Sequence, residues 1–243
     1  MAVLVLTNNQ IIVGGFDLTG FADKANADGQ SSAMIDQTTF GNGGYRVVAS
    51  GIRESSVGIE GFSDFASNGT AAAFNANALG TQYAYSINPT GGTTAGDPSV
   101  FGRGLLTAYT PFGGAVGESA RFMQTIASDT AEINGSLLMP LASRGAITGT
   151  SVTMAGPTAT QKVWAVLHVT GAVGTNLAVT IQSAPLSNFA SPTTRFTFST
   201  VSATGWQFAT PVAGAITDGF WRAICTVGSS TFTWSCSIGV ASV

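Results

Sequence analysis

From Gln161 onward the sequence is a succession of short runs in which apolar and polar residues alternate: QKVWAVLHVT, NLAVTIQSA, TRFTFSTV, WQFATPV, FWRAICTV and FTWSCSIGV. Alternation of period two is what a β-strand imposes, because successive side chains leave opposite faces of the backbone. Clusters of Gly, Pro, Ser, Thr and Asn punctuate the runs and supply the backbone freedom that turns need. With TGTSVTM this part holds about seven short strands, a pattern that predicts a β-sandwich.

The preceding residues read as strands with one helix. VLVLT and IIVGG are short β-rich runs, and SVGIEGF places Val57 and Ile59 on one face. Residues 35–50 read as a hairpin around Asn42-Gly43, a strong two-residue turn signal, flanked by Phe40 and Tyr45. The run NGTAAAFNANALG is alanine-rich, with Asn68 or Thr70 as a cap and Gly80 where a helix would stop. Ala71, Phe74 and Ala78 fall on one helical face, with Asn75 and Asn77 turned away, so Phe74 is expected to pack a short helix onto the sheet. TQYAYSI, GRGLLTAYT, ESARFMQTIAS and TAEINGSLLM follow as strands. Between the first two, NPTGGTTAGDPS reads as a polar loop long enough to be mobile.

Charge is scarce. Only 9% of the 243 residues are charged, against roughly 25% in an average soluble protein. Two kinds of soluble protein tolerate such a surface: secreted β-rich proteins, and proteins largely covered by copies of themselves. The charges are also uneven. Residues 1–145 hold eleven acids and six bases, whereas residues 146–243 hold one acid, Asp218, and three bases. That shift, with Pro and Gly in PLASRGAITG, predicts a boundary near 140–149 between a unit 1–145 and a β-sandwich 146–243. No repeat of fixed period is visible.

Most chemistry is disfavoured by the residue inventory. FGNGGYR lacks the Gly-Lys-Ser/Thr ending of a phosphate-binding loop and precedes no helix pattern, so its glycines read as a hairpin tip. The single histidine, His168, would have to be the base of any nucleophile triad, yet it shares a strand face with Trp164 and Val166. It reads as a structural or surface-strand histidine. Cys225 and Cys236 share a strand face with Trp221, Val227, Phe232, Trp234 and Ile238 and read as buried thiols. Two cysteines and one histidine do not make a four-ligand zinc site without carboxylates. No cofactor and no enzymatic activity are expected. Two lysines, and bases scattered among acids, argue against binding nucleic acid by attraction. No run of about 18 apolar residues marks a membrane span. The N-terminal apolar run ends at Leu6 and follows no basic residue, so no signal peptide is expected and the chain is expected to remain in the cytoplasm after synthesis.

The stretch IDQTTFGNGGYRVVASGIRESSVGIEGF mixes Asp36, Glu54 and Glu60 with Arg46, Arg53 and the glycines Gly41, Gly43 and Gly44. With phosphate chemistry excluded, it reads as a mechanical element. Phe40, Asn42, Gly43, Tyr45, Arg46, Arg53 and Glu54 are its candidate contact residues between subunits.

IIVGGFDLTG, then the stretch just quoted continuing to Phe65, then TAAAFNANALG resemble, in content and order, the N-terminal region of major tail tube proteins of long-tailed bacteriophages. The resemblance covers roughly residues 1–140. It implies a mainly β fold: a tail-tube β-barrel or sandwich with one flanking α-helix, followed here by a C-terminal β-sandwich of Ig-like or jelly-roll-like type. It also implies a structural virion protein whose hexameric rings stack into a tube for DNA passage. The implied partners are further copies of itself, tape-measure proteins, and tail terminator or tip proteins. The implied location is the virion tail, after assembly in the host cytoplasm. The acidic balance of residues 1–145 suits a channel that repels DNA. Two alternatives stay open: a carbohydrate-binding β-sandwich adhesin using the C-terminal tryptophans, and a virion decoration protein.

Overall fold

A computed structural model describes residues 8–28, 31–38, 45–64, 79–172, 174–228 and 231–242. Every regular element among them is a β-strand. The expected fold with one flanking α-helix is therefore corrected to all-β for the described residues. Burial in strands such as Ser56–Phe62 repeats every second residue, a strand's period. Phe74 and most of the helix-like run lie outside the described residues, and Leu79–Gly80 form a turn.

The N-terminal half contributes β1 (Gln10–Val13), β2 (Phe16–Asp17), β3 (Ala22–Ala27), β4 (Ser31–Asp36) and β5 (Val48–Glu54). It continues with β6 (Ser56–Phe62), β7 (Gln82–Asn88), β8 (Pro98–Gly113), β9 (Arg121–Ser128) and β10 (Ile133–Arg144). The C-terminal half adds β11 (Ile147–Thr148), β12 (Val152–Thr153), β13 (Gln161–Ala172), β14 (Ala178–Ala184) and β15 (Thr193–Thr197). It ends with β16 (Gly205–Phe208), β17 (Val212–Ala213), β18 (Phe220–Thr226) and β19 (Phe232–Ser242).

One 12-stranded sheet runs β16-β13-β19-β10-β8-β7-β1-β2 and so crosses from one half of the sequence to the other. Strand β8 is the branch point. Pro98–Phe101 pair with β10, whereas Gly104–Gly113 pair with β9 along the same edge, and β9 leads on to β6 and β3. Register shifts after Leu106 and Thr110 bend this strand, as bulges do. The curl brings the two ends of the path together: the β1–β2 turn, Gly14-Gly15, packs against Gly205 at the start of β16. A Cβ on Gly15 would stand 2.5 Å from the Gly205 carbonyl oxygen, so only glycine permits this closure.

Three cores result. Ile11, Val13, Val57, Ile59, Tyr85, Phe122 and Ile126 fill the fold of the N-terminal strands. The second core lies between β10, β19 and β13 on one side and, on the other, the five-stranded sheet β11-β18-β14-β15 with β12 also paired to β18; Trp221, Trp234, Phe232 and Leu167 are among its members. The third sits in the curl, where Ala84, Phe101 and Ile133 meet Trp164 and Val166. Strand β13 serves two of them. Val163, Ala165, Leu167 and Val169 face the sandwich, and Trp164 and Val166 face the curl. This double burial explains the nearly unbroken apolar run VWAVL.

Two local expectations change. Pro140 does not end the strand pattern: β10 runs through it to Arg144, and Pro140 sits at a register shift in the β10–β19 ladder, where its missing N–H costs little. The loop after β7 is tied down rather than loose. Asp97 Oδ2 accepts from the amides of Thr93 and Thr94, and the Leu137 amide donates to the Asp97 carbonyl.

Candidate functional site: an exposed arm and the cleft at its base

Strands β4 and β5 pair only with each other and form a separate two-stranded sheet. Every residue of β4 is exposed. The hairpin nevertheless carries Met34, Ile35, Val47, Val48 and Ile52, with Met34 69% and Ile52 79% exposed. Two strands alone are marginally stable in water, because they have no core to bury. Local polar bonds hold the described shoulders of the hairpin. The Thr38 amide donates to Asp36 Oδ1 at 2.9 Å, and the Val47 amide donates to Thr38 Oγ1 at 3.0 Å. Arg46 Nε meets Asp36 Oδ2 at 3.1 Å. The Thr38 hydroxyl and amide bonds, then Arg46, hold the Asp36 carboxyl below the usual carboxylate range.

The sequence-predicted contact residues separate into three groups. Phe40, Asn42 and Gly43 lie outside the described residues. Tyr45 and Arg46 stand exposed on the arm, and Arg46 pairs within its own hairpin. Arg53 and Glu54 lie at the base, exposed, and form no ion pair among the described residues. They stand between two clefts. One, of about 560 Å³, includes Asp28 and Ile52. The other, of about 580 Å³, is walled by Arg103, Asp129, Trp164 and Pro211, so it lies where the two halves of the chain meet.

In that second cleft Arg103 Nε donates to Asp129 Oδ1 at 3.1 Å, and Gln82 Nε2 donates to Asp129 Oδ2 at 2.6 Å. The Arg103 guanidinium also lies 5.7 Å from the centre of the Phe208 ring. Sequence reasoning did not single out Arg103 or Asp129. Nothing local marks them, because their neighbours come from strands far apart in the chain. Other N-terminal charges are likewise paired internally: Lys24 with Glu60 at 2.5 Å and Arg121 with Asp23 at 2.7 Å.

The remaining polar chemistry is enclosed. Ser86 Oγ and His168 Nε2 are 3.0 Å apart, the distance of a nucleophile–base pair, but Ser86 is fully buried and His168 almost so. Among the described residues His168 Nδ1 has no hydrogen-bond partner to orient it, and burial pushes its pKa down to about 3. A ring sealed from substrate and hard to protonate is ill suited to base catalysis. Cys225 and Cys236 are free, buried thiols of the sandwich core. They come from opposite sheets, on β18 and β19. Burial pushes both thiols up, so neither is a ready nucleophile. No group of three His, Cys, Asp or Glu side chains able to hold a metal occurs among the described residues. No helix long and apolar enough to cross a membrane occurs among the described residues.

No protein-family model matches the sequence, and none of the curated proteins matches it. Solved structures that match include chains from phage-type tails and baseplates and one from infectious bursal disease virus. The tail of an empty GTA particle, determined with C6 symmetry, is 18% identical with a TM-score of 0.35, over 50% of this chain and 92% of its own. The SPP1 Dit protein, described as a paradigm of the hub adsorption apparatus in phages infecting Gram-positive hosts, is 10% identical with a TM-score of 0.39. That match spans 96% of this chain and 99% of the other. A chain of the phage p2 baseplate in its activated conformation is 9% identical with a TM-score of 0.33, over 97% and 98%. At these scores the similarities are of broad outline and carry no information about contacts or activity.

Proposed function

We propose that this chain is a structural subunit of a phage-type tail, with the β4–β5 hairpin as the arm that holds neighbouring copies together. One observation carries the reading: in a chain so poor in charge, a hairpin without a core of its own exposes a set of large apolar side chains. Large apolar side chains left uncovered on both faces of so short a sheet favour a contact with another protein. Arg53 and Glu54 at its base, which form no ion pair among the described residues, give such a contact charges of both signs with which to fix its register. The finer form of the proposal is a major tail tube subunit, in hexameric rings stacked around a channel for DNA, working with tape-measure and terminator or tip proteins in the virion tail.

The division into residues 1–145 and 146–243 belongs to this proposal. Separate N-terminal and sandwich cores favour it, whereas the β10–β19 ladder makes the outer unit an edge partner of the inner one. The sugar-binding alternative loses its main feature, since Trp221 and Trp234 are fully buried, Trp164 nearly so, and Trp206 is half-buried.

The test is assembly of the purified chain, followed by sedimentation and negative-stain microscopy as concentration rises. Rings or tubes are expected from the native chain and only dispersed subunits from Met34→Asp/Ile52→Asp. Equal assembly by the two would remove the arm from the account, and a native chain that stays monomeric at every concentration would refute the tail reading.

A further inference from the structure

The assembly reading leaves the chain's single histidine unused. His168 sits on the inner face of β13, in the curl where the two halves meet. Its Nε2 lies 3.0 Å from Ser86 Oγ on β7. Its ladder neighbours are Ser235 on β19 and Trp206 on β16. Neither His168 Nδ1 nor Ser235 Oγ has a hydrogen-bond partner among the described residues, and both residues are buried. Among the described residues, β7 presents Ser86 to the ring, β19 Ser235 and β16 Trp206; β8 brings Phe101 opposite Ser86, and the charge it carries in the seam, Arg103 over Phe208, is paired with Asp129. Burial alone acts on its titration. Around this contact lies the apolar seam of Ala84 and Phe101 against Trp164, Val166 and Phe208.

We propose that the Ser86–His168 contact is an acid-released latch between the halves: protonation of His168 favours a state in which β13 and β16 have moved off β7, while the sandwich core stays closed. Once the ring takes a proton from solvent, both nitrogens are donors. Ser86 can accept from one, but the other has no acceptor in reach, and the new charge has no counter-charge. Water supplies both if the seam opens. The strands joining the halves, β8, β10 and β19, would remain paired and act as the hinge. This inference does not depend on the tail reading.

The sign follows from linkage. In the closed state the imidazole protonates only near pH 3, whereas in the open state it does so near its ordinary value of about 6.5. The latch is thus fully effective above about pH 6.5, and the open fraction rises about tenfold per pH unit as pH falls below it.

Hydroxyl-radical footprinting of the full chain, resolved by residue, tests this. Between about pH 7 and pH 4, Trp164 and Phe208 should gain reactivity while Trp221 and Trp234 stay protected. The neutral variant His168→Gln should lose that pH dependence. A second measurement needs no variant: the one imidazole signal in the NMR spectrum should remain neutral below pH 6 in the closed population. The latch is overturned if seam and sandwich tryptophans become reactive together. It is equally overturned if His168→Gln keeps the native pH profile, or if the imidazole titrates near 6.5 with the seam still protected.

Discussion

The arm and the sandwich are built from the same kind of sequence and end in opposite environments. In β19, Trp234, Cys236 and Ile238 alternate along a strand and are wholly buried, because β18 and β14 of the opposing sheet close over them. In β4 and β5, Met34, Val48 and Ile52 occupy strands paired by the same antiparallel ladder, yet they face solvent. Alternation therefore makes a strand, but it does not say who covers it. In the sandwich the cover lies elsewhere in the same chain. For the arm, the account holds that another copy supplies it.

The largest expected difference between the regions is in stability. Trp234→Ala removes a buried indole from the sandwich and should cost about 3–5 kcal/mol. In a chain of this size that lowers the unfolding temperature by roughly 6–20 °C, which calorimetry at a concentration below assembly would show. A loss within about 0.5 kcal/mol would mean that the sandwich core is not packed as described. Between the extremes lies the closure of the main sheet. Gly15 has φ 85° and no room for a Cβ, so Gly15→Ala should destabilise by about 1–3 kcal/mol. Gly219, with open space around it, is the comparison position. Gly219→Ala should change little, and equal effects in thermal unfolding would break the assignment of Gly15 to a tight contact. Smallest is the arm itself: Ile52→Asp should leave the unfolding free energy of the dispersed chain within about 0.5 kcal/mol, because the side chain has little burial to lose.

The same contrast explains what could be read in the sequence. Strand positions such as Val57 and Ile59, and the burial of Trp221, Trp234 and both cysteines, follow from local alternation. Pairing does not. Strand β10 meets β19 and β8 meets β10, and no residue near Gly135 announces Gly239 or Ser99 as its partner. Pro140 suggested an interruption because its local signal is that of a strand breaker, while the ladder irregularity that accommodates it is a tertiary feature. Asp97 lay in a run whose composition suggests mobility, yet its carboxylate organises the turn. For the candidate site, Tyr45, Arg46, Arg53 and Glu54 are candidates in the sequence because a Gly-rich hairpin signal marks their stretch. Arg103, Asp129 and Trp164 were not, since the cleft they wall exists only once β8, β9 and β13 are brought together.

The central claim is that a neighbouring copy covers the arm, and methionine oxidation tests it directly. Met34 on the arm is exposed in the single chain, whereas Met139 is buried in the sandwich. Dilute peroxide converts an accessible methionine to its sulfoxide. Mass spectrometry can follow each site in dispersed subunits and in rings or tubes separated by sedimentation. The account predicts fast oxidation of Met34 in dispersed chains, strong protection in assemblies, and slow oxidation of Met139 in both. Assemblies in which Met34 oxidises as fast as in the free subunit would contradict it.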